Sequence, residues 1–349
     1  MSDMYRNPLS LLLLSGVLAA QGFHVVPGNC ASNDGNSSTT IVGAFPKHWQ
    51  MVIDPASIAS MSGQVITALR FRRDSNFPEA LDPASWNLVV RMGEAALDSS
   101  EALPNFASNA VSLIEVFRGI ATAPTSAALS GTASWSTTDT FEVALSSPFA
   151  VPNAGLVIDV EGSSITGDWW PIDAVDDPSE GQVQSLGAPC GSLTSWQQTA
   201  SVDRSQLLIG RTATFELAGE PGAPAYLLVG AAPTSLPIDM TVIGAPGCFL
   251  HLLPLAAIGS VVGAPQFTAE FGGTAWVDLH LPADTDFLGA SLTMQWFEWQ
   301  TTGFAFSNAL VVQVSANPPS LGMALVTGQI TGTPVVRSYG IPVIGFVTD

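Results

Sequence analysis

Positive charge is scarce in this 349-residue sequence. It contains 10 Lys and Arg against 29 Asp and Glu, a formal net charge of −19, and Lys47 is its only lysine. Binding to nucleic acid requires a basic surface, and an anionic lipid surface would repel such a chain. We therefore expect no nucleic-acid partner. The excess carboxylates either keep a sparsely charged protein soluble or bind a divalent cation such as calcium.

Long hydrophobic runs are missing after the first twenty residues. Arg6 precedes a mostly apolar run from residue 9 to residue 20, which Gln21 and Gly22 follow. This pattern is typical of a secretory signal peptide, and the run is short for a bilayer span of about 20 residues. An uncleaved membrane anchor is the alternative. We expect a signal peptide at 1–21 and a secreted protein, extracellular, at the cell surface or periplasmic, without a membrane span after cleavage.

Helical patterns are weak, and charged residues make up only 11% of the chain. The 32 glycines and 25 prolines supply frequent turns. Apolar residues alternate with polar ones, as at Trp86, Leu88, Val90 and Met92, which is the period of a half-buried strand. The sequence therefore predicts an all-β chain of two tandem antiparallel β-sandwich domains, of jelly-roll or immunoglobulin-like type.

Composition divides the chain into four segments. After the signal peptide, an N-terminal β-sandwich is expected at 22–184 and a C-terminal β-sandwich at 185–315. The boundary follows a loop rich in Gly, Asp, Ser and Pro. A Pro-Pro linker then opens an extension at 316–349, which resumes strand character.

The extension is too apolar to stay in water, because each large apolar side chain contributes about 1.5–3 kcal/mol on burial. We expect it to add a strand to a sheet edge, either of the same chain or of a neighbouring copy. The second alternative predicts self-association through the tail. Pro334 and Pro342 cannot donate to a ladder, so pairing should be interrupted or edge-like at these residues.

Cysteine is rare, with three residues in the chain. In an oxidising compartment two of them should pair. Cys190 and Cys248 lie in the same half of the chain and are the expected disulfide. Cys30 is then either buried and inert or free for an intermolecular bond.

Catalytic signatures are also missing. The sequence has no Gly-x-Ser-x-Gly motif, Lys47 has no serine three residues before it, and the four histidines lack zinc-site spacing. A triad or carboxylate pair assembled from distant residues would leave no such signature. We therefore predict no enzymatic activity.

One acidic loop carries two candidate sites. Its four carboxylates, Asp173, Asp176, Asp177 and Glu180, could bind Ca²⁺ as a cofactor, and Trp169 and Trp170 could stack on the sugar rings of a polysaccharide. The spacing matches no calcium-loop template. The alternative, which the sequence favours, is that the acids are solvated and one tryptophan fills the domain interface.

A second aromatic segment is Trp296-Phe297-Glu298-Trp299, which places large aromatics on both faces of one strand. Such a strand usually packs one face in the core and turns the other toward a neighbouring domain or partner. A ligand platform is the alternative.

Several motifs, taken in order, resemble secreted planctomycete-type proteins of uncharacterised function. They include Phe23-His24-Val25-Val26-Pro27, Leu69-Arg70-Phe71-Arg72-Arg73-Asp74, Gly244-Ala245-Pro246-Gly247-Cys248 and Leu288-Gly289-Ala290-Ser291-Leu292. The resemblance implies two β-sandwich-like modules outside the cell, with no activity to carry over. Cys30 and the tail after Val314 depart from the pattern.

These observations favour a non-enzymatic secreted structural or adhesive protein of the cell surface, with self-assembly expected only where its tail pairs with a neighbouring copy. The alternative is a soluble extracellular carbohydrate- or calcium-binding module. The assembly state of the native protein distinguishes the two.

Overall fold

The computed structural model describes residues 21–43, 45–167, 169–191, 199–264, 273–329 and 333–349. The expected signal peptide lies outside these ranges except for Gln21. Within them, no helix is both long and apolar enough to cross a lipid bilayer.

The described residues form 23 strands and a few short helices, which confirms the all-β prediction. The strands are β1 (Gly22–Val26), β2 (Ser37–Thr39), β3 (Lys47–Ile53), β4 (Val65–Arg72), β5 (Ala84–Glu94), β6 (Ile114–Ala123), β7 (Thr140–Ala150), β8 (Leu156–Thr166), β9 (Ile172–Val175), β10 (Gln182–Leu186), β11 (Ala200–Ser201), β12 (Thr212–Gly219), β13 (Pro224–Gly230), β14 (Pro233–Asp239), β15 (Phe249–Leu252), β16 (Ala256–Val261), β17 (Gly273–His280), β18 (Ser291–Gln300), β19 (Gly303–Gln313), β20 (Met323–Gln329), β21 (Val335–Arg337), β22 (Ile341–Pro342) and β23 (Ile344–Thr348). One α-helix spans Pro55–Ile58, and 3₁₀ turns span Gly28–Ala31, Ala59–Met61, Ser99–Glu101, Phe106–Ser108, Arg204–Gln206, Met240–Ile243 and Thr285–Phe287.

The first module is built from residues 22–175 and 323–348. Its six-stranded sheet has the order β21-β20-β3-β8-β5-β6 and its four-stranded sheet the order β1-β23-β4-β7, with a smaller sheet β2-β9-β22 beside them. One core joins the two larger sheets and includes Trp49, Trp86, Phe71, Phe141 and Phe346. Trp86 and the residues two, four and six positions later are buried, so the alternation predicted from the sequence marks the inner face of β5.

The second module comprises residues 182–313. A five-stranded sheet of order β10-β19-β18-β13-β16 packs on the three-stranded sheet β11-β12-β17, with Phe215, Leu227, Val277 and Trp296 in the core between them. The hairpin β14-β15 lies beside this sandwich. The expected boundary after residue 184 falls inside β10, all of which pairs with β19. The change of module therefore precedes Gln182.

The C-terminal extension forms strands, as predicted, but it is not an appendage. β20 lies between β21 and β3, and β23 lies between β1 and β4, so both occupy interior positions of first-module sheets. Val336, Ile344 and Phe346 are fully buried. The tail therefore pairs within its own chain. β21 begins after Pro334 and β22 ends at Pro342, each at a sheet edge, which confirms the expected effect of the two prolines.

The expected disulfide is confirmed. Cys190 and Cys248 are bonded, with their Cα atoms 5.3 Å apart, and the bond joins the start of the second module to the turn before β15. Cys30 is a buried free thiol in the 3₁₀ turn that follows β1. Burial raises the pKa of Cys30 to about 11, so the thiol stays protonated and unreactive at neutral pH.

Candidate binding cleft

The four acidic residues predicted to bind calcium have separate structural roles. Asp173 is buried and pairs with Arg72, and its Oδ1 accepts a hydrogen bond from the Gly35 amide at 2.8 Å. Burial raises the pKa of Asp173, and the Arg72 guanidinium opposes that rise. This carboxylate therefore neutralises a buried arginine.

Asp176 and Asp177 accept hydrogen bonds from backbone amides of the C-terminal extension. Asp176 Oδ1 accepts from the Gly340 amide at 2.6 Å. Asp177 Oδ2 accepts from the backbone amides of Ser320 and Leu321 at 2.7 and 2.9 Å. These oxygens therefore accept hydrogen bonds from backbone amides of the tail.

Glu180 forms an exposed ion pair with Arg204, at 3.0 Å between Oε2 and the guanidinium. Since the four carboxylates contact four different sets of donors, they do not converge as metal ligands in the described structure. The predicted calcium site is therefore not formed by this set.

The two predicted ligand-binding tryptophans lie in different environments. Trp170 is only 1% exposed, packs edge-on against Phe141 and donates its indole N–H to the Pro124 carbonyl oxygen. It belongs to the first-module core, so the stacking role predicted for it is wrong, as is a role in the domain interface. Trp169 is 56% exposed and contacts Phe77, and its role in ligand binding stays a prediction.

The aromatic strand β18 packs on both faces. Trp296 lies in the second-module core, whereas Phe297 packs on Phe304 and Phe306 on the opposite face of the sheet, next to the β14-β15 hairpin. Trp299 is 59% exposed at the end of the strand. The core face is present as expected, whereas the other face packs on a hairpin of the same module and not on a neighbouring domain or partner.

Among the described residues, the imidazole and carboxylate groups that do converge are His48, Asp159 and Glu161, whose ligand atoms lie within 4.8 Å of one another. They lie on the outer face of the six-stranded sheet. Arg91 donates to Asp159 Oδ1 at 3.0 Å and to Glu161 Oε1 at 2.7 Å, and His48 Nε2 is 2.8 Å from Asp159 Oδ2. The guanidinium already supplies the positive charge these acids need, so the group is a hydrogen-bonded ion network.

A cleft of about 460 Å³ opens where the two modules meet. We call it the inter-module cleft. Its lining comes from both modules: from Thr40, Gly43 and residues 45–47, from β12, from β17, and from the end of β20 together with Thr333 and β21. The residues used below are Phe45, Lys47, Glu216, Trp276, Asp278 and Arg337.

The first-module wall continues the inner face of the six-stranded sheet. Lys47 lies two residues before buried Trp49 on β3, so the two side chains share a face of the sheet. Arg337 pairs directly with buried Leu325 and therefore lies on that same face. Beyond the edge of the core, the same face therefore presents Lys47 and Arg337 instead of apolar residues. Phe45, in the preceding loop, is 71% exposed at the rim.

The second-module wall is the outer face of the small sheet. Across β12 and β17, Glu216 pairs with Trp276, and Thr214 pairs with Asp278. The intervening residues of both strands point into the core, so these four share the outer face. Thr214 donates its hydroxyl to Asp278 Oδ1 at 2.7 Å, and the Trp276 side chain is half exposed. The wall thus presents one aromatic face between two carboxylates.

A second cavity of about 360 Å³ continues the cleft along β12. The two cavities share Thr214 and Glu216, and the second is closed by Ser201, Asp203 and Gln206. Together they form a groove along β12.

The two cations of the cleft have neutral partners. Lys47 donates to the Thr40 carbonyl oxygen at 3.2 Å, and the Arg337 guanidinium lies 5.0 Å from the Tyr339 ring centre. Burial, and secondarily the nearby Arg337, lower the pKa of Lys47 from 10.5 to about 8. Lys47 is therefore largely protonated at neutral pH.

Sequence reasoning missed every residue of this cleft. The available signals were a tryptophan on the polar face of an amphipathic strand, Trp276 opposite Ala275 and Val277, and the position of the only lysine. Neither signal identifies a site until the fold brings the two walls together.

Fold and site define an all-β protein of two modules, with a disulfide in the second and a mixed aromatic and charged cleft between them. No protein family and no curated protein matches the sequence.

Two solved structures align weakly with the chain. One is from naturally occurring empty particles of cowpea mosaic virus, at 9% identity over 99% of this chain and 95% of that chain, with a TM-score of 0.11. The other is from a virus-like particle of human norovirus GI.7, at 8% identity over 97% of this chain and 83% of that chain, with a TM-score of 0.12. Scores this low carry no argument about fold or function.

Proposed function

We propose that this chain is a secreted, non-enzymatic carbohydrate-binding protein whose ligand lies in the inter-module cleft. The observation that carries the proposal is Trp276, half exposed between Glu216 and Asp278 on one wall of the cleft. The signal-like segment before residue 22 and the Cys190–Cys248 disulfide support export to an oxidising compartment.

The chemistry of this wall suits a sugar. An indole offers a large flat apolar surface for the C–H face of a pyranose ring. Ionised carboxylates accept hydrogen bonds only, so Glu216 and Asp278 match the hydroxyl groups at the rim of such a ring. Both acids lie on the same wall, whereas the carboxylates of a glycosidase flank the scissile bond. This arrangement favours binding without hydrolysis.

The shape of the groove favours an oligosaccharide over a peptide. The adjoining cavity along β12 extends the site. A peptide would add to a strand edge, but at the edge strand β21 the Val336 amide already donates to Thr212 Oγ1 at 3.0 Å. The groove therefore offers side chains rather than backbone to its ligand.

Assembly through the tail has less support. β20 and β23 each have a neighbouring strand on both sides within the chain, so neither presents a free edge to another copy. An adhesive role through bound polysaccharide is consistent with the cleft, whereas strand exchange by the tail would require the first module to open.

Isothermal titration with a panel of oligosaccharides tests the proposal, using three variants that each remove one exposed tryptophan. Trp276→Ala should abolish binding, while Trp299→Ala and Trp169→Ala should leave the affinity unchanged. Loss of binding in Trp169→Ala alone would place the site in the acidic loop. Absence of binding by the wild type to every sugar tested, at millimolar concentration, would reject a carbohydrate function.

A further inference from the structure

Most described basic side chains in this acidic protein are paired or buried. Arg70, Arg72, Arg91, Arg118 and Arg204 each form an ion pair with a carboxylate. Arg73 and Arg211 are fully buried, with backbone carbonyl oxygens as their main acceptors. Among the described residues, Lys47 and Arg337 are the two that reach solvent with no carboxylate within 4.0 Å.

Both of these cations line the inter-module cleft. With 29 acidic residues against 10 basic ones, a random surface lysine or arginine would be expected to have a carboxylate nearby. The opposite wall carries Glu216 and Asp278, yet neither comes within ion-pair distance of Lys47 or Arg337. The cleft therefore keeps its positive and negative groups on separate walls.

We propose that the inter-module cleft is specific for anionic sugars, whose acidic group lies between Lys47 and Arg337 while the ring stacks on Trp276. This inference rests on the proposed carbohydrate binding and names the class of sugar. A guanidinium donates two parallel hydrogen bonds to a carboxylate, and an ammonium adds a point charge. The ring hydroxyls then face Glu216 and Asp278.

A preference for acidic sugars must come from the cleft itself, because the charge of the whole chain opposes it. A net charge of −19 repels a polyanion at long range. Only a site that has cations without carboxylate partners can reverse that repulsion at contact. Neutral glycans would make no use of Lys47 and Arg337, whose charges would be desolvated on binding without compensation.

The experiment compares three probes of equal length. They are a galacturonic acid tetramer, a glucose tetramer that carries sulfate esters, and an unmodified glucose tetramer. Titrations are run in about 0.15 M NaCl, where the Debye length of about 8 Å screens the distant charges. The wild type should bind an acidic probe at least about tenfold more tightly than the neutral one, the difference expected of a hydrogen bond to a charged group. The preferred acidic probe identifies the acid as a carboxylate or a sulfate ester.

Lys47→Gln and Arg337→Gln, alone and together, then locate the preference. The double variant should lose the preference for the acidic probe, and its affinity for the neutral probe should be equal to or higher than that of the wild type, because no uncompensated charge is then desolvated. Arg118→Gln, which removes an exposed ion-paired cation on β6, is the matched control for net charge and should behave as the wild type. Equal binding of acidic and neutral probes by the wild type would overturn the inference while leaving carbohydrate binding intact. Loss of all sugar binding in Trp276→Ala reports on the proposed function alone.

Discussion

The guanidinium of Arg211 in the second module donates a 2.8 Å hydrogen bond to the backbone carbonyl oxygen of Ser99 in the first. It also donates to the Met323 carbonyl oxygen at 3.3 Å, and it is completely buried. Burial lowers the pKa of Arg211 to about 10, so the group is charged at neutral pH inside the junction. A single side chain thus bonds both chain segments of the first module to the second.

Arg211→Met should therefore weaken the coupling between the modules. Each buried carbonyl left without a donor costs about 1–3 kcal/mol. We expect a lower melting temperature and a broader or divided calorimetric transition, measured by differential scanning calorimetry. Arg118→Met removes an exposed arginine and should leave the transition within error of the wild type. A single unchanged transition in Arg211→Met would show that the modules are held by other contacts.

The buried tail supports a second prediction. Phe346→Ala removes a fully buried ring at the centre of the four-stranded sheet and should lower the free energy of unfolding by about 3–5 kcal/mol. Phe45→Ala removes an exposed ring and should change it by less than about 0.5 kcal/mol. Urea unfolding followed by circular dichroism measures both. Equal stabilities would mean that the tail does not pack as described.

The disulfide should stabilise the second module. Its ends are separated by 58 positions, which corresponds to about 4 kcal/mol in the chain-entropy model. The double variant Cys190→Ser, Cys248→Ser should lose a comparable free energy of unfolding in urea. Cys30→Ala should lose far less, because it carries no cross-link. In the wild type, Cys30 should react with a thiol reagent only after denaturation.

Calcium should leave the protein's stability unchanged. Asp176 and Asp177 accept from backbone amides, and Asp173 and Glu180 pair with arginines. A ligand that binds only the folded state raises the melting temperature by mass action. Melting curves in millimolar calcium and in chelator should therefore coincide. If calcium raised the melting temperature of the wild type and not that of Asp177→Asn, the calcium site predicted from the sequence would be supported after all.

The lowered pKa of Lys47 gives the cleft a pH dependence. In the folded state Lys47 loses its proton near pH 8, whereas in the unfolded chain it keeps the proton until about 10.5. Between these values the unfolded state binds more protons, so the free energy of unfolding rises with pH. We expect the wild type to gain stability relative to Lys47→Gln from pH 8 to pH 10.5, measured by urea unfolding.

Binding of an acidic sugar should show the opposite trend. The protonated amine is the form that attracts an anion, so affinity should be constant from about pH 6 to pH 7, where the sugar acid is ionised, and fall through pH 8. Arg337 lies on the same wall as Lys47, and Glu216 and Asp278 face Lys47 from the other wall. Lys47→Gln should remove the decrease. A wild-type affinity that stays constant to pH 9 would contradict a role for the Lys47 charge.

Strand character could be predicted from local patterns, whereas the partners of each strand could not. Alternation located β5 and β17 correctly, since burial of one face is encoded in neighbouring residues. The local pattern from Ala107 to Gly119 suits a short helix or a strand equally, and the structure has part of a 3₁₀ turn followed by β6 there, because pairing with β5 decides the conformation.

The cleft could not be predicted, because its walls are far apart in sequence. Lys47 and Arg337 are separated by 290 positions and lie near each other only because β20 pairs with both β3 and β21. Trp170 shows the converse error. Its acidic, glycine-rich neighbourhood indicates a surface loop, yet the chain turns inward there to place Trp170 against Phe141.

The interior position of β20 and β23 imposes an order on folding. A growing chain that has reached Thr166 has the long strands of the first module but lacks two interior strands of its main sheets. The second module, residues 182–313, is continuous and can fold while the first is still open. The second module is thus able to mature first, while β1 and β4 must stay unpaired with each other, and the edge of β3 must stay open, until β23 and β20 have been made.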